Sequence, residues 1–166
     1  MDKNKAKENF DIIFDEIIRQ FSICQYVEDS HNRKLTFIMG FVAIVISIIF
    51  TQQTFFNQTY TIITKIIFII GLLFILSSGI IAFLGYKGRK WYAGIDIKHA
   101  MNLYKKNPSR NFKMIIAKFI ANANYVNRRS IDTKGKLLNW SYVFMGIGLI
   151  IFIFLTLQML FNFVIV

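Results

Sequence analysis

Charged residues avoid three long stretches of this chain. The segments 35–50 and 137–166 contain no Asp, Glu, Lys, Arg or His, and 61–86 contains only Lys65. A helix that crosses a hydrocarbon core of about 30 Å needs about 20 apolar residues, which the first stretch reaches only when its ends are extended. The pattern predicts three transmembrane helices over 35–51, 61–86 and 137–164, of which the third is long enough to tilt.

Two further segments alternate apolar and polar residues with helical periodicity. A helix predicted over 8–28 places six apolar residues on one face, and a second helix after Pro108 places seven on one stripe. These residues are Phe10, Ile13, Phe14, Ile17, Ile18 and Phe21 in the first helix, and Phe112, Ile115, Ile116, Phe119, Ile120, Ala123 and Val126 in the second. We expect the stripes to pack against each other. The alternative, helices that lie flat on a bilayer, fits the acidic flanks of the first stripe less well.

The predicted fold class is therefore an all-α membrane protein with three transmembrane helices. Its cytosolic helical extension combines the N-terminal helix with the basic region 87–136, in which a weaker helix is predicted over 91–104. We find no linker or internal repeat in the sequence and expect residues 1–166 to form a single unit. The 34-residue leader before the first span contains seven acidic residues and is amphipathic, unlike the short basic leader of a signal peptide. We therefore expect the first span to be a retained anchor and not a cleaved signal peptide.

Composition and charge agree with this class. The chain is 55% hydrophobic and 16% aromatic, with a formal net charge of +11, which excludes an ordinary soluble enzyme and argues against disorder or a disulfide scaffold. Lys and Arg are concentrated in 1–34 and 87–136 and absent from 52–60. By the positive-inside rule, the N-terminus and the basic region face the cytoplasm and the C-terminus lies outside, in a prokaryotic inner membrane.

Candidate chemistry is sparse. Cys24, His31 and His99 stand in unlike surroundings, so no metal site is predicted. The sequence contains no nucleophile elbow, zinc-protease motif, phosphate-binding loop or dinucleotide fingerprint. We therefore expect a protein without enzymatic activity and without a cofactor.

Small residues recur within the three predicted spans. They allow helix backbones to approach closely, which in lipid is a main route to association. The candidates for helix packing are Gly40, Ala43, Ser47, Gly71, Ser78, Ala82, Gly146 and Gly148. Three helices are too few to enclose a pathway, so transport by this chain alone would require a homo-oligomer.

Polar residues in a span are candidates for function. Lys65 lies four residues into the second span and either anchors the helix at the interface or lines a path. Gln158 and Asn162 lie four residues apart on the third span, with Thr156 nearby. They line a polar pathway, join protomers by hydrogen bonds, or are solvated at the outer interface.

The basic region interleaves positive charge with aromatic side chains. Such a surface attracts nucleotides or anionic lipids, although the positive-inside rule predicts the same excess without a ligand. The first candidates for anion binding are Arg89, Lys90, Arg110, Arg128 and Arg129. Specific nucleic-acid binding is not expected.

The layout resembles a known group of proteins. The segment 29–34, Asp-Ser-His-Asn-Arg-Lys, directly precedes the first span, and Asn124-Tyr125-Val126-Asn127 and Lys134-Gly135-Lys136 precede the last. This arrangement is similar to the small membrane effectors of prokaryotic antiphage systems, the SLATT-like and Pycsar-type groups. The resemblance implies that the protein assembles in the membrane and disrupts the membrane when a nucleotide signal or a partner protein activates it. This chain has no separate nucleotide-binding domain, so its trigger would act on the helical cytosolic region or through another protein.

Two functions follow as hypotheses. The first is an oligomeric inner-membrane effector that forms a pore or otherwise disrupts the bilayer in antiphage defence, gated through its cytosolic helices. The alternative is a noncatalytic accessory subunit of a larger membrane complex or transporter.

Overall fold

The computed structural model describes residues 3–51, 61–87, 91–92, 102, 105 and 111–164, with side chains for 11–49, 61–87, 91–92, 102, 105 and 112–158. All regular structure in these segments is α-helical. The three long helices are α1 (Lys3–Thr51), α2 (Ile62–Tyr86) and α3 (Asn111–Val164). The predicted connector 52–60 and most of the predicted helix 91–104 lie outside the described residues.

Each of the three helices is long and apolar enough to cross a membrane, which confirms the prediction of three such segments and is compatible with a multi-pass membrane protein. Their lengths differ in an informative way. At a rise of 1.5 Å per residue, the 25 residues of α2 extend about 38 Å, which matches a bilayer. The 49 residues of α1 and the 54 residues of α3 extend about 74 and 81 Å, so each is far longer than one crossing needs.

The boundary predicted between 28 and 35 lies within a continuous helix. The charged segment 29–34 contains neither Pro nor Gly, and the Thr36 hydroxyl donates to the backbone carbonyl of Asn32 at 2.9 Å within α1. Likewise α3 runs through Gly135 and past the predicted start of the third span at 137. A change from charged to apolar residues alters which solvent a helix prefers, but it does not by itself end the helix.

Contacts divide the chain into two compact units. Unit 1 comprises 1–30 and 88–133, and unit 2 comprises 31–87 and 134–166. The divisions fall four and three residues before the predicted starts of membrane segments at 35 and 137, and one residue after the predicted end at 86. Both α1 and α3 contribute residues to both units, and α2 belongs to unit 2 alone.

In unit 2, α2 runs antiparallel to both of its neighbours. Gly85 packs against Leu35 and Leu137, while Gly79 packs against Val42 further along α1. The fully or nearly buried apolar side chains of this core are Leu35, Ile38, Val42, Ile75, Ala82 and Leu138. Edge-to-face stacking of Phe68 on Phe152, with ring centroids 5.4 Å apart, extends the packing along α2 and α3.

In unit 1, the first part of α1 runs parallel to the first part of α3. Lys113 pairs with Asp11 at 2.9 Å, and the Cys24 thiol contacts Asn124 at 2.7 Å. The buried apolar residues of α3 here are Ala117, Ala123 and Ile131. The predicted stripes are only partly covered: Phe14, Ile17 and Phe21 are half-buried, whereas Ile13 and Ile18 are exposed in α1, as are Phe119 and Val126 in α3.

Candidate functional site

A close approach of two helices lies where α2 crosses α3. A Cβ atom on Gly148 would stand 2.8 Å from both Cγ1 and Cδ1 of Ile75 and 3.1 Å from the carbonyl oxygen of Gly71. A Cβ on Gly71 would stand 2.9 Å from Cγ2 of Ile151. These two glycines are therefore sites where the absence of a side chain permits the contact, as the sequence analysis anticipated for small residues in general.

A reciprocal pair of serines joins the same two helices nearer to Gly85 and Leu137. The Ser78 hydroxyl donates to the carbonyl oxygen of Ser141 at 2.8 Å, and the Ser141 hydroxyl donates to that of Ser78 at 2.7 Å. Both side chains are fully buried. Sequence analysis selected Ser78 but missed Ser141, because their pairing depends on which faces of α2 and α3 meet.

The other small residues divide between inside and outside. Ala82 is buried in unit 2, whereas Gly40, Ala43 and Ser47 are exposed on α1. At about 100° per residue, Gly40 lies roughly 200° around the helix from the buried Ile38, so this row faces away from the core. A Cβ on Gly40 or on Gly146 would meet nothing within 4 Å. We call Gly40, Ala43 and Ser47 the open face of α1.

The polar candidates of the spans that the structure describes are exposed. Lys65 is exposed near the start of α2, and Gln158 is exposed near the end of α3. The Thr156 hydroxyl donates to the carbonyl of Phe152 in its own helix at 2.8 Å. The side chain of Asn162 lies outside the described residues. Within one chain, Gln158 is thus available to solvent or to a second copy.

Of the five candidates for anion binding, Arg128 and Arg129 are described, and both are exposed on α3. Arg89, Lys90 and Arg110 lie outside the described residues. Tyr125, which precedes the arginine pair by three and four residues, is 78% exposed. Side chains three and four residues apart share a helix face, so this part of α3 presents an aromatic ring beside two guanidinium groups.

Sequence analysis missed a contact within unit 1 that holds residues 91–92 against α1 and α3, which we call the clip. The Asn127 amide accepts from the backbone N–H of Tyr92 at 3.1 Å and donates to the carbonyl of the same residue at 2.9 Å. Trp91 packs against Phe21 with ring centroids 6.2 Å apart. Asn127 is only 1% exposed. Its buried amide oxygen and amide nitrogen are both satisfied by the backbone of Tyr92.

A second buried polar contact lies on the same face of α3. The Cys24 thiol donates to the side-chain oxygen Oδ1 of Asn124. Burial raises the pKa of this thiol, which lies in unit 1 and outside the segment 35–51. A raised pKa keeps the sulfur protonated, and only the protonated form can donate this bond. Cys24 is therefore a structural thiol rather than a reactive one in this arrangement.

At one end of unit 2, α1 and α3 are joined by a polar contact. The Lys134 ammonium donates to the Asn32 side-chain oxygen at 3.0 Å, although Lys134 is only 3% exposed. A Cβ on the adjacent Gly135 would stand 3.3 Å from Cε1 of His31. The segments 29–34 and 134–136, which carried the resemblance described above, thus lie together.

Among the described residues, no three of His, Cys, Asp or Glu lie close enough together to hold a metal ion. Comparison of the chain with protein-family models, curated proteins and solved structures finds no significant match.

Proposed function

We propose that this protein is an oligomeric membrane effector that permeabilises the prokaryotic inner membrane, in antiphage defence, with unit 1 as its gate. The observation that carries the proposal is the open face of α1, a row of small residues that points away from the core of its own chain. The resemblance to small antiphage membrane effectors supplies the biological setting.

The described residues of unit 2 offer no polar route through a single copy. The core is filled by aliphatic side chains, and α2 approaches α3 to the limit that Gly71 and Gly148 allow. In the spanning part of the described residues, the buried polar side chains are Ser78 and Ser141, which bond to each other. Ions would therefore have to pass between copies or through lipid disturbed by them.

The open face of α1 supplies a surface for contact between copies. Small residues allow helices to approach closely in lipid, where van der Waals packing drives association. The Ser47 hydroxyl already donates to the carbonyl of Ala43 at 2.8 Å within the helix, so it presents no unsatisfied donor. A ring of more than two copies requires two different surfaces that meet head to tail. The flank of α3 around Gly146, which is also open, is the second surface that we propose.

Unit 1 is suited to act as a gate because it is built from the same two helices. Both α1 and α3 continue from the apolar segments into unit 1 without a break. A change in the packing between Cys24 and Asn124, or at the clip, would alter the helices that carry the open face. Such a gate has two states, with the present and an altered packing of unit 1. A nucleotide signal or a protein partner would need a different affinity for each state in order to shift their populations.

The test combines function with assembly. The full chain is expressed in a bacterium, membrane potential is followed with a fluorescent dye, and copy number is measured by photobleaching in native-membrane nanodiscs. We expect several copies per disc for the wild type and a shift toward single copies for Gly40→Leu/Ala43→Leu, because the larger side chains block close approach. Depolarisation, where the chain alone or its trigger produces it, should decrease in the same variant.

The matched control is Gly40→Ala, which adds a Cβ where nothing lies within 4 Å. It should retain assembly. A second pair, Gln158→Leu/Asn162→Leu, tests whether these amides line the path: depolarisation should fall while copy number is unchanged. If the wild type is a monomer in native membranes under every activating condition, or if Gly40→Leu/Ala43→Leu assembles like the wild type, the proposal is wrong.

A second candidate function rests on a different observation. Unit 1 exposes apolar side chains outside the predicted spans, among them Ile12 at 61% and Tyr26 at 73%. Such exposure is typical of a docking surface and favours a noncatalytic accessory subunit of a larger membrane complex. This alternative predicts an isolated chain that is harmless and unstable, and a partner that co-purifies with it and restores its stability. A stable, self-assembling chain would contradict it.

A further inference from the structure

The two units carry very different charge. All nine Asp and Glu residues belong to unit 1, so unit 2 has no acidic residue. The cations of unit 2 are Arg33, Lys34, Lys65, Lys87, Lys134 and Lys136. All of them except Lys65 lie at the end where α1, α2 and α3 meet around Leu35, Gly85 and Leu137. Unit 2 therefore has a strongly basic end. The acidic residues nearest to it along the helices include Asp29 and Asp132, one turn before Arg33 and Lys136, and no ion pair joins them to these cations among the described residues.

Four of these cations are available to a ligand. Arg33, Lys34, Lys87 and Lys136 are exposed, and no ion pair joins any of them to another described residue. The fifth, Lys134, is buried against Asn32 and serves the packing of α1 on α3. We call the four exposed cations the basic rim.

Exposed aromatic rings lie immediately beyond the basic rim on the apolar side. Tyr86 precedes Lys87, and Trp140 and Tyr142 follow Lys136 by one to two helical turns. Trp140 is 59% exposed, Tyr86 47% and Tyr142 38%. Rings of this kind concentrate at the level of lipid headgroups, where one side of the ring is apolar and the other is wet. The helices beyond them expose aliphatic residues such as Ile80 and Ile150.

The order of cations, aromatic rings and aliphatic surface decides the kind of partner. A free anion would use the charges alone, and a nucleic acid would use the charges and the rings. A phospholipid uses all three features, because it places its phosphate at the charges, its glycerol region at the rings and its chains along the aliphatic surface of the helices. We propose that the basic rim binds the headgroups of anionic phospholipids, phosphatidylglycerol above all, in preference to zwitterionic ones. The surface is distinct from Arg128 and Arg129, which belong to unit 1.

Trp140 provides a local probe of this preference, since it lies four residues after Lys136 on α3. The full chain, with Trp91→Phe to leave one tryptophan, is reconstituted in vesicles of dibrominated phosphatidylcholine mixed with increasing unbrominated phosphatidylglycerol. Bromine quenches nearby tryptophan fluorescence. If phosphatidylglycerol is preferred beside Trp140, fluorescence recovers at a lower mole fraction than it does when unbrominated phosphatidylcholine is added.

The decisive comparison is between two pairs of lysine substitutions that remove equal charge. Lys34→Gln/Lys136→Gln removes half of the basic rim, and Lys105→Gln/Lys118→Gln removes two exposed lysines of unit 1. A surface cation contributes about a fivefold change in affinity for an anionic membrane. We therefore expect the first pair to lower the relative binding constant for phosphatidylglycerol by up to about 25-fold, and the second pair to leave it unchanged. About 1 M NaCl, at which the Debye length is about 3 Å, should weaken the preference in the wild type.

Three outcomes would overturn the proposal. One is equal recovery with the two unbrominated lipids, which would mean that the surface has no headgroup preference. Another is an equal loss in both lysine pairs, which would mean that overall charge and not the basic rim is responsible. The third is abolition of the preference by inorganic phosphate but not by chloride of equal ionic strength, which would indicate a site for free phosphate. None of these depends on copy number or depolarisation, so the result is independent of the proposed effector function.

Discussion

The contact between α2 and α3 at Gly148 allows a prediction in which the cost of a single methyl group can be isolated. In Gly148→Ala, the new Cβ would stand 2.8 Å from two atoms of Ile75, well inside the separation of about 3.5–4.0 Å at which carbon atoms attract most strongly. Ile75 is fully buried, and the third neighbour, the Gly71 carbonyl, is backbone. Neither can move aside without disturbing the core, so we expect an overpacking cost of about 1–3 kcal/mol.

The substitution also has a favourable effect that must be removed from the comparison. Ala is preferred over Gly in a helix by about 1 kcal/mol, which offsets part of the packing cost. Gly146→Ala receives the same benefit two residues away, where the new Cβ meets nothing within 4 Å. The difference between the two variants therefore reports the packing cost alone. We expect Gly148→Ala to be less stable than Gly146→Ala by about 1–3 kcal/mol.

The measurement is reversible unfolding by sodium dodecyl sulfate in mixed micelles, followed by tryptophan fluorescence. A double-mutant cycle with Ile75→Ala, which removes both Cγ1 and Cδ1, tests the assigned cause. In that background the added cost of Gly148→Ala should decrease, because two of the three close contacts are gone. Equal stability of Gly148→Ala and Gly146→Ala, or a cost that Ile75→Ala does not reduce, would refute the close approach of α2 and α3 at this point.

Two further predictions concern buried polar contacts. Ser78→Ala and Ser141→Ala should each reduce the free energy of unfolding by about 0.6 kcal/mol, and by no more than about 1.7. Because each hydroxyl donates to the backbone carbonyl of the other residue, the two losses should be nearly additive in the double mutant, and unchanged stability of either single variant would contradict the reciprocal pair. Asn127→Ala removes both hydrogen bonds of the clip and should cost about 1–3 kcal/mol of local stability, which amide hydrogen exchange at Tyr92 would detect as faster exchange. Asn122→Ala, at an exposed position of the same helix, is the control, and faster exchange in that variant as well would show that the clip does not depend on Asn127.

The three apolar helices could be predicted because the requirement for about 20 apolar residues per crossing is imposed by the bilayer and not by the rest of the chain. The continuity of α1 through 29–34 could not be predicted in the same way. Charged residues signal a change of solvent, and helix propensity within such a segment is nearly neutral. The sequence therefore predicted separate helices over 8–28 and 35–51, where the structure has one continuous helix.

The candidate sites show the same limit at the level of single residues. Composition alone selected Gly40, Gly71, Gly146 and Gly148 as equivalent small residues, yet two of them are closed by Ile75 or Ile151 and two face open space. The difference depends on the rotation of each helix about its axis, which periodicity does not determine for a helix that is apolar on every side. The clip was missed for a related reason, since Asn127 and Tyr92 are 35 residues apart and neither belongs to a local motif.

The parallel pairing of α1 with α3 has a consequence for how the chain is made. Asp11 meets Lys113 and Cys24 meets Asn124 across 102 and 100 residues of sequence. At a synthesis rate of about 5–20 residues per second, the N-terminal helix waits about 5–20 s for its partner to be translated. During that interval α1 and α2 can insert as a hairpin, while the apolar side chains of α1 that precede the hairpin stay uncovered. Because α3 contributes to both units, neither can be completed before α3 is translated: unit 1 needs the part of α3 up to 133, and unit 2 needs the part that follows.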